Sequence, residues 1–374
     1  MKVDAGNNEK DLSEESLPAF RDGIRARTGM TMGTSFRLAL ASDLDARQIT
    51  TLLDAAQDRF DEVDRLMSTY RADSEIRRFN VSESTDWFPV SMQTAKVVSL
   101  ALEISRQTEG VFDVTVAPLV QRWKFGPQHM GADALTTSEL PTQTELDELR
   151  KQVGFEHLQV RLESPALKKD IPELCVDLAA IAKGFGVDEA AEYLKTQAVE
   201  NRQLFGFLIE IGGETRVFGH KGIDRDAREQ RWVIGVQKPQ EQSMSIHKKY
   251  LLTDLALATS GGCENFRVVD GKRFSHIIDP QVGRPKDFAD VISTQSGGER
   301  LGSVSVVDSS CAKADALATS LFVLGPEKGL ELAIRHNWAV MFLMIRPDGS
   351  IREIVSPKFT GVPEYPPEFR SNTL

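Results

Sequence analysis

The sequence predicts an α+β fold in which antiparallel sheets are flanked by helices. Short apolar segments separated by polar turns recur in the second half of the chain, as in RWVIGVQKP (231–239) and SVSVVD (303–308), and they predict strands. Gly212-Gly213 joins two further segments of this kind, which is a hairpin signal. Because the hairpins are mixed with helices and do not alternate regularly with them, a doubly wound parallel sheet is disfavoured.

The first half of the chain divides into a lead-in, a strand and a series of helices. Residues 1–28 are polar and lack sustained periodicity, which predicts a mobile N-terminal lead-in. Residues 30–40 predict a strand with an early glycine kink. Apolar side chains at helical spacing predict helices over 47–67 and 93–107. The stretch 127–150 begins as a loop and turns helical near its end.

The second half contains the most informative segments. ELCVDLAAIAKGFGVDEAAEYLKTQ (173–197) predicts a strand, a turn and then a helix. Residues 204–219 form the predicted hairpin, and ADALATSLFVLG (314–325) predicts a helix with Asp315 in its first turn.

Length and charge exclude several classes of protein. With 45 basic and 55 acidic residues among 374, the net charge is −10, which disfavours a nucleic-acid binder that relies on bulk positive charge. No apolar run approaches the roughly 18 residues of a membrane helix, and the acidic N-terminus lacks the apolar segment of a secretory signal. We therefore expect a cytoplasmic protein without a transmembrane segment, with one domain over 29–350 and a C-terminal tail over 351–374.

Two segments carry candidate chemistry for binding anions and metal ions. Lys183 stands at the predicted start of a helix, where a cation beside free backbone amides suits a phosphate. An ordinary helix start with a solvated lysine is the alternative. Asp315 and Thr319 are four residues apart and share a helical face. Together they offer oxygen ligands suited to Mg²⁺, whereas a helix cap is the alternative for Asp315.

Two further candidates have equally plain structural alternatives. His276, in SHIIDP, stands between a strand and a proline turn, and either a general base or a structural histidine fits that position. Asp113 and Thr115 lie among apolar residues in GVFDVTVAPLV (110–120). Turn chemistry with core packing is the alternative to a binding role there.

Taken together and in this order, the segments resemble the ApbE family of flavin transferases. The resemblance runs from about residue 30 to residue 345, and an ordered set of motifs is far more specific than any single one. Eight blocks carry it: MGTSFRL (32–38), MSTYRADSEIRRFN (67–80), TEGVFDVTVAPLVQRWKFG (108–126), VDLAAIAKGFGVD (176–188), IEIGGETRVFG (209–219), LATSGG (257–262), GKRFSHIIDPQVGRP (271–285) and ADALATSLFVLG (314–325).

The resemblance implies a fold that holds FAD in a cleft between its two parts, and a Mg²⁺-dependent enzyme that splits the FAD pyrophosphate. FMN would pass to a threonine hydroxyl in the flavinylation motif of an acceptor flavoprotein, with release of AMP. An FAD pyrophosphatase that yields FMN and AMP, and a non-catalytic FAD-binding protein, are the alternatives. The flavin-contacting positions of the family fall on Met32, Tyr70, Val111, Phe112, Asp113, Asp177, Lys183 and Ile278.

The resemblance also implies a metal site and a base. The metal positions fall on Ala180, through its carbonyl oxygen, and on Asp315 and Thr319, while the proposed base falls on His276. Many relatives carry a carboxylate just before the metal-site threonine, where this chain has Ala318, so we expect fewer protein ligands for Mg²⁺. The family commonly works outside the cytoplasm, which makes a periplasmic protein or membrane-anchored lipoprotein the alternative location if a leader has been removed.

Overall fold

The computed structural model describes residues 23–125, 139–200, 203–223, 228–239, 245–261, 266–269, 272–287 and 298–366. Within those ranges the helices are α1 (Ala46–Met67), α2 (Glu75–Val81), α3 (Met92–Gln107), α4 (Ala117–Arg122), α5 (Gln143–Arg150), α6 (Ala179–Glu200), α7 (Cys311–Leu324) and α8 (Pro326–Arg335). The strands are β1 (Ile24–Thr31), β2 (Thr34–Ser42), β3 (Phe88–Pro89), β4 (Leu158–Arg161), β5 (Ala166–Lys169), β6 (Leu204–Ile211), β7 (Glu214–Gly219), β8 (Trp232–Gln237), β9 (Ile246–Leu252), β10 (Ala256–Gly261), β11 (Phe266–Val269), β12 (Lys272–Asp279), β13 (Arg284–Asp287), β14 (Arg300–Asp308), β15 (Ala339–Ile345) and β16 (Ile351–Val355).

An eight-stranded antiparallel sheet organises the chain, in the order β1-β2-β6-β7-β10-β14-β15-β16. Successive side chains of a strand point to opposite faces, and both faces of this sheet are covered. Leu38 and Leu40 of β2 pack in a core with α1 and α6, whereas Ala39 and Ala41 pack in a second core with the β8–β9 hairpin. The predicted α+β fold with antiparallel sheets and flanking helices is confirmed.

Helices α6 and α7 lie together against this sheet, and their contact is close enough to require glycine. A Cβ at Gly184 of α6 would lie 2.5 Å from the carbonyl oxygen of Cys311 and 2.7 Å from Cα of Ala312. Helix α7 is apolar on nearly every side, as expected for a helix enclosed by neighbours. The absence of a side chain at Gly184 therefore brings the backbones of two helices with candidate site residues into contact.

A smaller unit adjoins the main sheet beside α7. Strands β11, β12 and β13 form a separate antiparallel sheet. The unit packs on α4 and α5 through an apolar group of buried side chains, Leu119, Trp123, Leu146 and Ile278. The indole of Trp123 donates to the carbonyl of Gly283 at 2.9 Å, which fixes the β12–β13 turn against α4.

The helix and hairpin predictions are confirmed for α1, α3, the end of the 127–150 stretch and the Gly212-Gly213 turn. Helix α1 begins at a capping box, in which the amide of Gln48 donates to Asp45 and the Gln48 side chain accepts from the Asp45 amide. Both glycines of the hairpin turn have positive φ, +60° at Gly212 and +102° at Gly213, as a two-residue hairpin turn of this kind requires.

Several predictions at the level of elements are wrong. The strand over 30–40 is two strands, β1 and β2, joined by a turn at Met32-Gly33 in which both residues have positive φ. Residues 24–28 of the predicted lead-in belong to β1, because they pair with β2, and residues 1–22 lie outside the described residues. The tail predicted from residue 351 begins with β16, which pairs with β15 along Met341–Ile345.

The strand predicted at the start of 173–197 is not formed. Residues 174–178 belong to no strand of the described chain, and their backbone forms hydrogen bonds with side chains and a loop instead. The side-chain amide of Asn80 donates to the carbonyl of Val176 at 2.8 Å, and its oxygen accepts from the Val176 amide at 2.7 Å. The ammonium of Lys169 donates to the carbonyl of Leu174 at 3.0 Å. A short apolar run in the sequence does not indicate which groups will accept and donate the hydrogen bonds of its backbone.

Among the described residues, no helix combines the length and apolar character needed to span a bilayer.

Candidate functional site

The first turns of α6 are the centre of the candidate site. Asp177, Ala180 and Lys183 are spaced three residues apart, which brings them to one side of the helix start. The carboxylate of Asp177 accepts from the Ala179 amide at 2.9 Å, and its own amide donates to the carbonyl of Val114 at 2.7 Å. These bonds tie the start of α6 to the segment that follows α3.

Lys183 is held between two buried carboxylates. Its Nζ lies 2.6 Å from Oε1 of Glu214 and 4.0 Å from Oδ2 of Asp315. Glu214 is the first residue of β7, immediately after the Gly212-Gly213 turn, and is 3% exposed, while Asp315 on α7 is 2% exposed. The alternative of a solvated lysine at an ordinary helix start is therefore wrong, because Lys183 is bound in an ionic group.

The charges of this group shift one another's titration. Burial raises the pKa of Glu214 to about 8, with the charge of Lys183 opposing that shift. Burial also raises the pKa of Asp315, against the attraction of Lys183 and the hydrogen bond from Gly184. Burial alone would lower the pKa of Lys183, but the charges of Asp315 and Glu214 outweigh it and raise that pKa. The lysine therefore stays protonated.

Asp315 also contacts the backbone of α6. The amide of Gly184 donates to its Oδ2 at 3.2 Å. In an α-helix an amide faces the carbonyl four residues earlier, which for Gly184 is the carbonyl of Ala180. The Asp315 carboxylate and the Ala180 carbonyl oxygen are therefore both close to the Gly184 N–H. One turn further along α7, the hydroxyl of Thr319 is 3.0 Å from that of Ser260 on β10. Asp315 therefore lies where α6 packs on α7, and Thr319 lies one turn further along α7, beside β10.

Asp315 is not a helix cap, and its predicted location in the first turn is wrong. Helix α7 begins at Cys311, and Ser310 is its N-cap, with its hydroxyl accepting from the Lys313 amide. The buried carboxylate of Asp188 on α6 adds two further bonds to the start of α7, from the amides of Cys311 at 2.9 Å and Ala312 at 3.0 Å. Asp315 is therefore left for the group with Lys183.

These oxygens fit a hard divalent cation. Carboxylate, hydroxyl and backbone carbonyl oxygens are the ligands that Mg²⁺ takes, usually with waters and substrate phosphates completing its shell. Two carboxylates face one ammonium, and Oε2 of Glu214 is buried without a hydrogen-bond partner among the described residues, so the group carries excess negative charge when both carboxylates are ionised. Within the described ranges, no three His, Cys, Asp or Glu residues cluster as a metal site.

The other predicted flavin-contacting positions lie on segments outside α6. Tyr70 follows α1 and is 57% exposed. Partial burial and then the charge of Asp177 raise the pKa of Tyr70. Met32 lies at the β1–β2 turn, next to Gly186 of α6. A Cβ added at Gly186 would lie 3.5 Å from the Met32 sulfur.

The segment that contains Val111, Phe112 and Asp113 lies partly in the core and partly on a cleft. Val111 and Phe112 are buried in the main apolar core. Both oxygens of Asp113 are engaged, one by Thr115 at 2.8 and 2.7 Å and the other by the amide of Phe155 at 2.9 Å. The turn role of Asp113 is therefore present. A cleft of about 200 Å³ separates the segment from the β12–β13 turn and is lined in part by Asp113 and Gln281.

Strand β12 carries His276 and Ile278. Its pairing with β13 is irregular between Phe274 and Ile278, so His276 lies in a distorted part of the strand, which packs against α7. Ile277 belongs to the main core, whereas Ile278 is 7% exposed and packs in the core of the smaller unit. The binding and catalytic roles of these two positions remain predictions.

Sequence reasoning missed Glu214, Ser260 and Asp188. Glu214 and Ser260 lie inside the IEIGGETRVFG and LATSGG blocks, but neither received a role. A carboxylate at the first position after a glycine hairpin turn was the signal for Glu214. No pattern in the sequence joins Asp188 to the start of α7, since that contact crosses 123 positions.

Comparisons with known proteins agree with this architecture. The ApbE family profile matches residues 32–342. The FAD:protein FMN transferase of Vibrio cholerae is 40% identical over 332 residues, which cover 89% of this chain and 90% of that protein. The FAD:protein FMN transferase of Escherichia coli strain K12 is 33% identical, with 88% and 87% covered.

Solved structures give the same result for the fold. The structure of the flavin transferase ApbE from Vibrio cholerae is similar with a TM-score of 0.74 at 39% identity, over 91% of this chain and 99% of that one. The apo form of the flavinyl transferase ApbE from Pseudomonas stutzeri is similar with a TM-score of 0.73 at 30% identity, over 91% and 96%. The chain belongs to the ApbE family.

Proposed function

We propose that this chain is an FAD:protein FMN transferase, which uses Mg²⁺ to move FMN from FAD to a threonine hydroxyl of an acceptor flavoprotein and releases AMP. The observation that carries the proposal is the ionic group that Lys183 of α6 forms with Asp315 and Glu214, because Lys183 and Asp315 are predicted site positions. The transferase class follows from membership of the ApbE family and from relatives that share that name.

The reaction is a displacement at phosphorus. The threonine oxygen of the acceptor forms a bond to the phosphorus of the FMN half of FAD, and the bond from that phosphorus to the bridging oxygen of the AMP half breaks. The threonine proton passes to His276, whose residue type titrates near neutral pH. AMP leaves with the electron pair of the broken bond. Positioning and charge stabilisation supply most of the catalysis in reactions of this kind.

Asp315, Thr319 and the carbonyl of Ala180 are the groups that would hold Mg²⁺. When bound, the cation would neutralise pyrophosphate oxygens and ease the departure of AMP. The Lys183 ammonium would offer a hydrogen-bond donor to the same pyrophosphate oxygens. Tyr70 offers an aromatic surface for a flat ring.

A cytoplasmic protein is our expectation for the chain, and a periplasmic or membrane-anchored location is the alternative.

An acceptor-labelling experiment tests the proposal. The protein is incubated with FAD and Mg²⁺ together with an acceptor domain that carries a threonine motif, and the intact mass of the acceptor is followed. We expect a mass gain of one FMN moiety, lost in Asp315→Asn and slowed about 10²- to 10⁴-fold in His276→Asn. His157→Asn is the matched control, since His157 is an exposed histidine paired with Asp170 at 2.8 Å. An equal rate in His276→Asn and His157→Asn would contradict the role of the base.

A further inference from the structure

Glu214 is a buried carboxylate that the proposed reaction does not use. One of its oxygens lies 2.6 Å from Nζ of Lys183, and the other has no hydrogen-bond partner among the described residues. Burying an ionised carboxylate is costly unless its charge is used. Its location is also tightly fixed, because the hairpin turn sets Glu214 opposite Ile211 and the first residues of β7 contact α6.

The charge of Lys183 creates a problem that Glu214 addresses. Nζ of Lys183 is 4.0 Å from Oδ2 of Asp315, the carboxylate that would bind the divalent cation. An unneutralised ammonium at that distance repels a second cation strongly in a site of low polarity. It also competes with the cation for the Asp315 oxygens.

We propose that Glu214 is a positioning residue that binds and neutralises Lys183, and so leaves the Asp315 carboxylate for a divalent cation. The inference rests on the metal dependence in the proposed function. The inference depends on the net charge of the group, because one ammonium and two carboxylates leave one negative charge for the metal. Removing Lys183 makes the group more negative, whereas removing the Glu214 charge makes it neutral.

Binding of Mn²⁺, measured without nucleotide by the electron paramagnetic resonance signal of the free ion, tests the charge count. The full chain is used under argon at mildly alkaline pH, because burial raises the pKa of Glu214 against the opposing charge of Lys183. Glu214→Gln should weaken Mn²⁺ binding by about 10- to 100-fold, as substitutions of residues that support metal ligands commonly do. Lys183→Met should tighten it.

The double variant Lys183→Met/Glu214→Gln separates neutralisation from direct ligation. It restores the single negative charge through Asp315 alone, so its affinity should return to within about threefold of the wild-type value. It also removes the lysine that Glu214→Gln leaves with an uncharged partner, and unfolding in urea checks that each variant is folded. A double variant as weak as Glu214→Gln would make Glu214 a ligand and overturn the inference.

Two other outcomes have distinct meanings. If the wild-type chain binds Mn²⁺ and Glu214→Gln binds it equally well, the inference fails while the proposed function stands. If the wild-type chain binds no Mn²⁺ and transfer continues at the full rate in excess chelator, the metal dependence of the proposed function fails, and the inference fails with it.

Discussion

Substituting Gly184 by alanine should destabilise the protein, although alanine is the better helix former. A Cβ at this position would meet the Cys311 carbonyl at 2.5 Å, and because the obstacle is backbone, α6 and α7 must separate. Overpacking costs about 3 kcal/mol at the upper end of its usual range, and helix propensity returns about 1 kcal/mol. The expected net loss in the free energy of unfolding is therefore about 2 kcal/mol.

Gly186→Ala is the matched control in the same helix. Its Cβ would lie 3.5 Å from the nearest side-chain atoms, Cδ1 of Ile211 and the sulfur of Met32, which is ordinary van der Waals contact. We expect it to be neutral or to stabilise the protein by up to about 1 kcal/mol. Urea unfolding followed by circular dichroism measures both variants. Equal stabilities for Gly184→Ala and Gly186→Ala would refute the close contact between the helices.

Two further predictions concern ion pairs. Asp188→Asn leaves the buried guanidinium of Arg216 without its ionic partner at 2.6 Å, so it should lower the free energy of unfolding by about 3 kcal/mol. Glu192 also pairs with Arg216, but its side chain is 60% exposed, so Glu192→Gln should lower it by less than about 1 kcal/mol. Equal losses of the two variants in urea unfolding would contradict this ranking. Hydrogen bonds from Arg352 hold the pKa of Glu299 below 4.5, so the stability advantage of the wild-type chain over Glu299→Gln should be complete above pH 4.5 and disappear as the pH falls through the lower folded-state pKa. Unfolding in urea across a pH series checks this, and an advantage that persists at low pH would disprove it.

The sequence predicts those elements whose signal is local. Helix α1 has its capping box and its apolar spacing within one segment. The Gly212-Gly213 turn needs two residues with positive φ, and its two glycines supply them. By contrast, ALATS occurs twice, as strand at 256–260 and as helix at 316–320. The surrounding fold, and not the pentapeptide, decides its structure.

The same distinction applies to the candidate site. The residue types of Lys183, Asp315 and Thr319 indicate phosphate and metal chemistry, and the ordered blocks identify the family. The residue types do not predict the partner of Lys183, because Lys183 lies on α6 and Glu214 reaches it from strand β7. The Asp315 contact to Gly184 spans 131 positions, and only the packing of α6 on α7 creates it.

Stoichiometry in a single reaction tests the central claim most directly. Wild-type protein, FAD, Mg²⁺ and an acceptor domain are mixed, AMP and free FMN are measured by chromatography, and the modified acceptor residue is identified by peptide fragmentation. Transfer predicts AMP equal to the flavin bound to the acceptor, a phosphoester on a threonine, and no matching release of free FMN. Equal amounts of AMP and free FMN with an unmodified acceptor would contradict transfer and favour hydrolysis of FAD, while FAD that stays intact would contradict catalysis altogether.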